Sequence, residues 1–371
     1  MGRSPACVNR KPTAVMTPQP AQQFAVPTTQ PSLRPVRLWL VAVAVLVVAM
    51  ILVGGATRLT ESGLSITEWK PIHGVIPPLD AADWAEEFEK YRQIPEYQLV
   101  NKGMSLDDFK TIFWWEWGHR LLGRLIGVAF AVPLAVFWIA GRLPGRMKPM
   151  LLGLLALGAL QGAIGWWMVV SGLAERVDVS QYRLAVHLTM AFLILAGLVW
   201  AAEDTRARPP EPSTGAVRRV AVLILAVVFL QIFLGGLVAG LRAGWSYNTW
   251  PLLDGALVPP GLLVQSPWWQ NLFENPKTVQ FDHRLVAYLL LALVVGHAVQ
   301  AARVLPAKAL PGCRAARRAA WLVAVVGVQA TIGIAALVTV VPVSLGLAHQ
   351  LGAAAVLWLA TVHVHRLRTA A

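Results

Sequence analysis

The chain has 371 residues, of which 56% are hydrophobic and only 14% charged, and its mean hydropathy is +0.57. These values lie outside the range of soluble globular domains and indicate a protein that crosses a membrane several times. The net charge of +13 does not indicate nucleic-acid binding, because the basic residues are concentrated in the tails and in loops between apolar segments.

The N-terminal tail, residues 1–35, is rich in Pro, Gln and Thr and contains no acidic residue, which predicts a disordered cytoplasmic segment. Its many prolines argue against the amphipathic helix of an organellar transit peptide. The first apolar segment is too long for a cleaved signal peptide, and no A-x-A site follows it. We therefore expect a protein of the bacterial inner membrane, with the mitochondrial inner membrane as the alternative.

Eight apolar segments are long enough to cross ~30 Å of hydrocarbon, which takes roughly 20 residues. They lie at about 36–56, 113–140, 150–171, 182–202, 218–240, 279–302, 319–341 and 346–365. An even number of spans places both termini on one side, and Lys and Arg are enriched in the short loops of that side. The predicted fold class is an all-α polytopic membrane protein with cytoplasmic N and C termini.

The longest loop, residues 57–112, carries ten acidic residues against six basic ones and lies on the outer side. It is too long to be a mere connector, and we interpret it as a lid over the first half of the chain. Candidate lid residues are Arg58, Glu61, Glu68, Trp69 and His73. The Trp clusters at 114–117, 166–167 and 268–269 fall at span ends, where aromatic belts are expected.

The two halves of the chain repeat each other in order. Gly54-Gly55 recurs as Gly235-Gly236, and Gly118-His119-Arg120-Leu121 recurs as Asp282-His283-Arg284-Leu285. A Gln-x-x-x-Gly motif occurs at Gln161, Gln231 and Gln329. This pattern predicts duplication of a four-helix bundle. The predicted parts are a first bundle at 36–202, a cytoplasmic linker at 203–217 and a second bundle at 218–366.

Four histidines lie at similar depth near the outer ends of the second and fourth spans of each half: His119, His187, His283 and His349. Ionisable groups inside a span are costly and usually serve a function. A single buried imidazole often bonds only a neighbouring carbonyl, but four in matched register favour iron ligation. Two helices with one inward imidazole each can supply both axial ligands of a haem, so we predict one non-covalent haem site in each half.

The halves differ three residues before the first histidine of each pair, on the same helix face. The first half has Glu116 there and the second has Gln280, which cannot ionise. A carboxylate beside one haem only indicates acid–base or cation-stabilising chemistry in the first half, unless Glu116 is simply an interfacial residue. Arg120 and Arg284 could each pair with a haem propionate or extend to lipid phosphate.

Two further histidines, His297 and His363, lie 14 residues after His283 and His349. Fourteen residues is about 21 Å along one helix face, a spacing that a second, stacked haem would need. Their position beside basic residues at the cytoplasmic boundary favours a plain interfacial location.

Asp282 is interpreted as a charge at a loop end. The two cysteines, Cys7 and Cys313, predict neither a disulfide nor a metal site on the outer side.

Across about residues 36–366 the chain resembles the heme A synthase family. The resemblance rests on Gly-Gly-Ala-Thr-Arg-Leu-Thr-Glu-Ser-Gly-Leu-Ser at 54–65, Trp69-Lys70-Pro71-Ile72, Glu116-Trp-Gly-His119-Arg-Leu, Phe281-Asp-His283-Arg-Leu and Ala348-His349-Gln350. Some bacterial members carry cysteine pairs in the outer loops, and this chain lacks them. It is therefore similar to the cysteine-free subgroup of alphaproteobacteria and mitochondria, and the resemblance does not extend to a mechanism that needs a thiol relay at the outer face.

The resemblance implies an enzyme that oxidises the C8 methyl group of heme O to the formyl group of heme A, for cytochrome oxidase assembly. It implies that His119 and His187 contact the substrate haem, that Glu116 is the catalytic carboxylate, and that His283 and His349 ligate a haem b. Heme O is then the substrate, and heme O synthase and cytochrome oxidase assembly factors are the expected partners, with a homo-oligomer as a further expectation.

Two other functions remain open at this stage. A membrane b-type cytochrome that carries electrons from quinol would explain the 14-residue histidine spacings but not the single Glu116. A haem transporter or chaperone would bind heme O and release it unchanged. The sequence alone leaves the electron donor and the source of oxygen undetermined.

Overall fold

The computed structural model describes residues 32–70, 73–174, 176–206, 208, 211, 213–304 and 310–367, without the side chains of residues 73 and 310–313. The predicted disorder of the N-tail, and the predictions for Cys7 and for the side chains of His73 and Cys313, lie outside the described residues. Within them, the chain is helical and contains no β-strand. Its twelve α-helices are α1 Arg34–Leu59, α2 Ala81–Arg92, α3 Pro95–Leu99, α4 Leu106–Ile139, α5 Lys148–Leu173, α6 Gln181–Asp204, α7 Gly215–Gly240, α8 Ala243–Ser246, α9 Asn271–Glu274, α10 Pro276–Val304, α11 Leu310–Val338 and α12 Val343–Arg366.

Eight of these helices are long and apolar enough to cross a membrane, which confirms the eight predicted spans. They are α1, α4, α5, α6, α7, α10, α11 and α12. Below, the end of the bundle that holds the long loop is called the outer end and the opposite end the cytoplasmic end, following the predicted orientation. All four predicted ligand histidines lie toward the outer end.

Polar caps decide where several helices begin. The Ser105 side chain accepts a hydrogen bond from Asp108 N at 3.2 Å, so α4 begins at Leu106, seven residues before the predicted start of its span. The early start arises because Asp107 and Asp108 favour the positive end of the helix dipole. In the same way Thr214 caps α7, accepting from Val217 N at 3.3 Å.

The long helices form a ring of four in each half. In the first half α4 packs against α1 and α5, and α6 packs against the same two helices. In the second half α10 and α12 each pack against α7 and α11. The two histidine-bearing helices of each half therefore occupy opposite corners of their ring, so that side chains directed inward from them meet across its centre.

The two halves share one apolar core, in which α6, α7, α12 and α1 meet. Small residues allow α6 and α7 to approach closely. A methyl group added to Gly236 would lie 2.7 Å from the Ala185 Cα atom, and one added to Gly240 would lie 2.6 Å from the Gln181 Cα atom. Contacts of this kind replace the hydrophobic driving force that is absent between helices in lipid.

The long outer loop folds into an ordered unit above the first half. Its helices α2 and α3 pack against α4 and α5 around an apolar cluster that includes Tyr91 and Phe109, both fully buried. The loop is therefore held in place by its own core rather than lying free at the membrane surface. This arrangement fits the predicted lid.

Ion pairs join the halves at the cytoplasmic end. Arg366 at the end of α12 pairs with Glu203 of α6, and His365 Nε2 lies 2.8 Å from Asp204 Oδ1. The described part of the connecting segment adds a pair between Glu211 and Arg318 of α11, with an N–O distance of 2.6 Å. The last turn of α12 thus ties the second half to the first.

Candidate functional site

Each of the four candidate ligand histidines lies against a glycine of the preceding long helix. A methyl group added to that glycine would lie within 3.3 Å of an imidazole atom in every case, which is closer than ordinary van der Waals contact. The four pairs are Gly54 with His119, Gly165 with His187, Gly235 with His283 and Gly333 with His349. The same local arrangement therefore occurs four times, which supports the predicted duplication.

A glutamine one turn before the glycine holds three of these histidines in place. Each glutamine Nε2 donates a hydrogen bond to the histidine carbonyl oxygen, at 3.1 Å for Gln161, 3.1 Å for Gln231 and 2.8 Å for Gln329. The same Nε2 atoms lie 3.1–3.4 Å from a ring nitrogen of the same histidine. The Gln-x-x-x-Gly motif that repeats in the sequence is thus a histidine-positioning motif.

The fourth histidine lacks this support. The position one turn before Gly54 holds Met50 rather than a glutamine. The Met50 Cε atom instead lies next to Gly123 of α4, 3.3 Å from where a methyl group on Gly123 would be. His119 is therefore the one predicted ligand without an amide partner from the preceding helix, among the described residues. The sequence shows a methionine here in place of the glutamine, but only the glutamine–histidine contacts at the other three sites show that a hydrogen bond to His119 is thereby absent.

The arrangement fits two haem groups, each held by two histidines. His119 of α4 and His187 of α6 lie on opposite helices of the first ring, and His283 of α10 and His349 of α12 on opposite helices of the second. All four histidines are partly exposed residues, and His187 Nδ1 is buried without a hydrogen-bond partner in the described residues. The glycines leave room that any side chain would fill. Neutral imidazole nitrogens on opposite helices are suitable axial ligands for a haem iron.

Glu116 is buried, with 2% of its surface exposed, so it is not an interfacial residue facing water. Its Oε2 atom accepts hydrogen bonds from Ser65 Oγ and from the Ile66 backbone N–H, both at 2.7 Å. Its Oε1 atom accepts from Nη2 and Nε of Arg120, at 2.6 and 3.1 Å. Four donors therefore hold this carboxylate in one orientation and join α4 to the start of the outer loop.

Arg120 has partners that the sequence did not predict. Besides Glu116, its guanidinium donates to the carbonyl oxygens of Ile66 at 2.7 Å and Glu68 at 2.9 Å. Neither a propionate nor a lipid phosphate is needed to explain its position. A role toward a haem propionate stays a prediction for Arg120, which is fixed against the loop that covers this half.

The second half contains the same arrangement without the negative charge. Arg284 Nη2 donates to Gln280 Oε1 at 2.8 Å, and Gln280 Nε2 donates to the carbonyl oxygens of Ala243 and Tyr247 at 2.9 and 3.0 Å. Arg284 also reaches the Leu252 carbonyl oxygen at 3.3 Å. Arginine and the residue one turn before it thus bind the outer loop in both halves, but only the first half places a carboxylate there.

The outer ends of the two halves are joined by an ion-pair cluster that the sequence analysis missed in part. Arg242 pairs with Glu61 at 2.7 Å and with Asp178 at 2.9 Å, and Arg58 lies 3.5 Å from the same carboxylate. Arg58 also donates to the Ala239 carbonyl oxygen of α7. Arg58 and Glu61 were predicted lid residues, whereas Asp178 and Arg242 come from other loops and carry no local sequence signal.

A second buried carboxyl group lies in the outer loop. Glu96 is 5% exposed, and burial, together with the negative charges of Glu116, Glu61 and Asp178, raises its pKa to about 8. The Tyr91 hydroxyl donates a hydrogen bond to its Oε2 atom at 3.2 Å. Nothing in the local sequence distinguishes Glu96 from the exposed acids around it, so only the packing of the loop identifies it.

The structure corrects two sequence predictions about polar residues of α10. His297 is not interfacial: it and His363 are each 1% exposed, and their Nε2 atoms lie 2.8 Å apart. A metal ion lies about 2.0 Å from each imidazole nitrogen that binds it, so two axial nitrogens on opposite sides of an iron would be about 4 Å apart. The observed separation is shorter, and this pair does not fit a second haem. Asp282 does not lie at a loop end either, because α10 begins six residues earlier, at Pro276.

Comparison with known proteins places this chain in a family. The family model described as cytochrome oxidase assembly protein, COX15-CtaA, matches residues 37–362. A protein from Brucella anthropi named heme A synthase is 58% identical over 330 residues, which cover 89% of this chain and 91% of that protein. The heme A synthase of Chelativorans sp. is 60% identical over 328 residues, covering 88% and 90%. That of Brucella ovis is 58% identical over 330 residues.

Proposed function

The chain belongs to the COX15-CtaA family of cytochrome oxidase assembly proteins, and we propose on that basis that it is a heme A synthase. Its reaction oxidises the C8 methyl group of heme O to the formyl group of heme A. The observation that carries the proposal is the pair of equivalent two-histidine sites, only one of which has a carboxylate one helical turn away.

The first half is the proposed substrate site, with His119 and His187 in contact with the substrate haem. The second half is the proposed site of haem b, ligated by His283 and His349. The glutamine contacts support this division. In the second half Gln231 and Gln329 hold both histidines, as expected for a resident cofactor. In the first half His119 lacks such a contact, which suits a group that must enter and leave.

Glu116 is the proposed catalytic carboxylate. Because four hydrogen-bond donors already satisfy its charged form, its geometry favours electrostatic stabilisation of positive charge that develops at the oxidised methyl carbon. Ser65 and Arg120 are positioning residues that hold this charge in place. A haem b in the second half supplies one-electron transfer when bound, and His283 and His349 would set its orientation.

A location in the bacterial inner membrane is the proposal that suits a lipid-soluble haem substrate. Heme O synthase and cytochrome oxidase assembly factors are the proposed partners, because heme O must arrive and heme A must leave within the membrane. The outer loop, together with the hydrogen bonds that join Arg120 and Arg284 to the loops above them, would exclude water from the bound groups.

The test is co-expression with an enzyme that produces heme O, followed by extraction of the haems and chromatography. Heme A with its formyl group is the expected product. Recovery of unchanged heme O together with bound haem would instead indicate a haem transporter or chaperone. A b-type cytochrome with two stacked haems is disfavoured, because His297 and His363 leave no gap for an iron.

A further inference from the structure

The first half has a loosely packed seam between its second and third spans, α4 and α5. The matching helices of the second half, α10 and α11, pack against each other much more closely. The first half meets the second through α1 and α6, so the α4–α5 seam lies on the far side of its ring. Apolar residues of these two helices, among them Leu125, Val128 and Leu160, are exposed there, as expected of a surface that faces lipid.

A non-helical segment of the outer loop, residues 66–70, lies along α4 at this seam and is called the strap below. Its carbonyl oxygens at positions 66 and 68 accept hydrogen bonds from Arg120, at 2.7 and 2.9 Å, and that of Lys70 accepts one from Arg124 at 2.9 Å. Carbonyl groups two residues apart point the same way in an extended chain, so one edge of the strap binds α4. Because its partners pass from Arg120 to Arg124, the strap follows α4 inward from the outer end, toward the level of His119.

The other side of the strap contacts α5. The ring centroids of Trp69 in the strap and Trp166 in α5 are 5.2 Å apart, and the Arg120 guanidinium lies 5.9 Å from the centroid of the same Trp166 ring. Trp166 directly follows Gly165, the glycine that lies against His187. The strap therefore bridges α4 and α5 beside both proposed ligands of the substrate haem, where the helices themselves pack loosely.

The second half is closed in a different way. The tryptophan that matches Trp69 in the repeat is Trp250, whose Nε1 atom donates to the Tyr288 hydroxyl of α10 at 3.1 Å. Its partner thus belongs to the histidine-bearing helix itself and does not bridge to α11. The residue that matches Trp166 is Ile334. Closure by a bridging tryptophan pair is therefore a feature of the first half.

The contacts of the strap suit a part that opens. Trp69 is 47% exposed, and three hydrogen bonds to arginine side chains and one ring pair hold the strap across the seam. A segment with few buried apolar contacts opens more readily than two packed helices separate. We propose that a lipid-soluble haem enters the first site sideways from the bilayer, through the α4–α5 seam, and that the strap is the gate of this entrance.

Closure of the gate would also complete the site. The first residue of the strap, Ile66, donates its backbone N–H to Glu116, and Arg120 binds Glu116 and the strap at the same time. The carboxylate is therefore held by all its donors only when the strap lies on α4, so that entry of the haem and orientation of Glu116 are coupled. The inference rests on the proposed substrate site and adds the route by which the substrate reaches it.

The experiment locks the strap reversibly. Trp69→Cys and Trp166→Cys are combined in a protein whose two native cysteines are replaced by serine, and a bifunctional methanethiosulfonate joins the pair until dithiothreitol releases it. The matched control is Trp250→Cys with Tyr288→Cys, which locks the loop of the second half. Proteoliposomes whose second site is filled receive heme O, which dissolves in the lipid, and absorbance follows its binding. A His119→Ala variant gives the background without the first site.

We expect the crosslink between positions 69 and 166 to abolish heme O uptake and dithiothreitol to restore it. The control crosslink should leave uptake unchanged, and the absorbance of the haem in the second site should stay the same throughout. Uptake that continues with the strap locked, or that stops equally in the control, would overturn the proposal.

A second variant tests the tryptophan pair without a crosslink. Trp166→Ile introduces the residue found at the matching position of the second half, and it removes the ring pair. Loss of one aromatic pair shifts an opening equilibrium about two- to tenfold, so heme O should enter and leave the first site faster by a factor in this range. Trp115→Ile, a change to an exposed tryptophan of α4 outside the strap, is the control. Equal rates in the two variants would contradict the gate.

The outcome is separable from that of the proposed function. If locking the strap stops heme O uptake while co-expression yields no heme A, the entrance stands and the heme A synthase proposal fails. If heme A forms while the locked protein takes up heme O freely, the synthase proposal stands and the entrance lies elsewhere.

Discussion

Gln350 of α12 packs its side-chain amide directly against the backbone of Gly55 in α1, and this contact joins the two proposed haem sites. Gly55 follows Gly54, which lies against His119, and Gln350 follows His349 in the chain. The two predicted sites are thus separated by one glycine–glutamine contact. A displacement of Gly55 or Gln350 would therefore move the neighbours of both His119 and His349, which are proposed ligands of different haems.

The Gly55→Ala variant should disturb both sites, because the added methyl group would overlap the Gln350 amide. Overpacking of this kind costs about 1–3 kcal/mol, more than the gain of up to about 1 kcal/mol from replacing glycine in a helix. We expect a lower melting temperature and altered haem absorbance in the purified protein. Gly158→Ala is the matched control, since a methyl group there meets nothing within 4 Å; if both variants behave alike, the contact is unimportant.

Replacing Glu116 with Gln should reduce heme A formation by about 10²–10³-fold, the usual effect of removing one group that stabilises transition-state charge. Haem b should remain bound, because the second half is untouched. Extracted haems are quantified by chromatography, and the b-type absorbance is recorded separately. Glu89→Gln, a change to an exposed carboxylate that pairs with Arg92, serves as control. Full activity in Glu116→Gln would remove this residue from the mechanism.

Exchanging methionine and glutamine should change how firmly haem is held. In Met50→Gln, the new amide can donate to the His119 carbonyl oxygen as Gln231 does to His283. One added hydrogen bond of about 1 kcal/mol would slow haem loss from the first site about fivefold. Gln329→Met should accelerate loss from the second site by a similar factor. Transfer of haem to excess apomyoglobin measures both rates, and equal rates in all three proteins would contradict the assignment.

The stability of the outer loop should fall as pH rises, because of Glu96. Its pKa is about 8 in the folded protein, against 4.5 for an ordinary glutamate. Between these values the folded state keeps a proton that the unfolded state releases, so stability declines from about pH 4.5 to about pH 8 and is constant above. Glu96→Gln should remove this decline. Hydrogen exchange of residues 81–99 across the pH range tests it, and an unchanged profile in the variant would refute the interpretation.

The sequence predicted the eight spans, and the position of the four histidines near the outer ends of their spans, because both depend on local patterns. A run of about 20 apolar residues must cross the bilayer whatever its neighbours are, and the register of the repeat places equivalent histidines at equal depth. Its errors concern groups whose surroundings come from other helices. His297 was predicted to be interfacial, and Asp282 was predicted to lie at a loop end. In the structure His297 is buried against His363, and Asp282 lies in an apolar cleft.

By itself, then, the sequence determined the number of spans, the candidate ligands and the single acid at position 116, since composition and spacing are properties of one chain segment at a time. Only the tertiary structure decided what those groups contact. It showed that Glu116 and Arg120 lock the loop, that glutamines hold three of the four histidines, and that Gly55 meets Gln350. Such contacts join residues far apart in the chain, and their geometry follows from how whole helices pack.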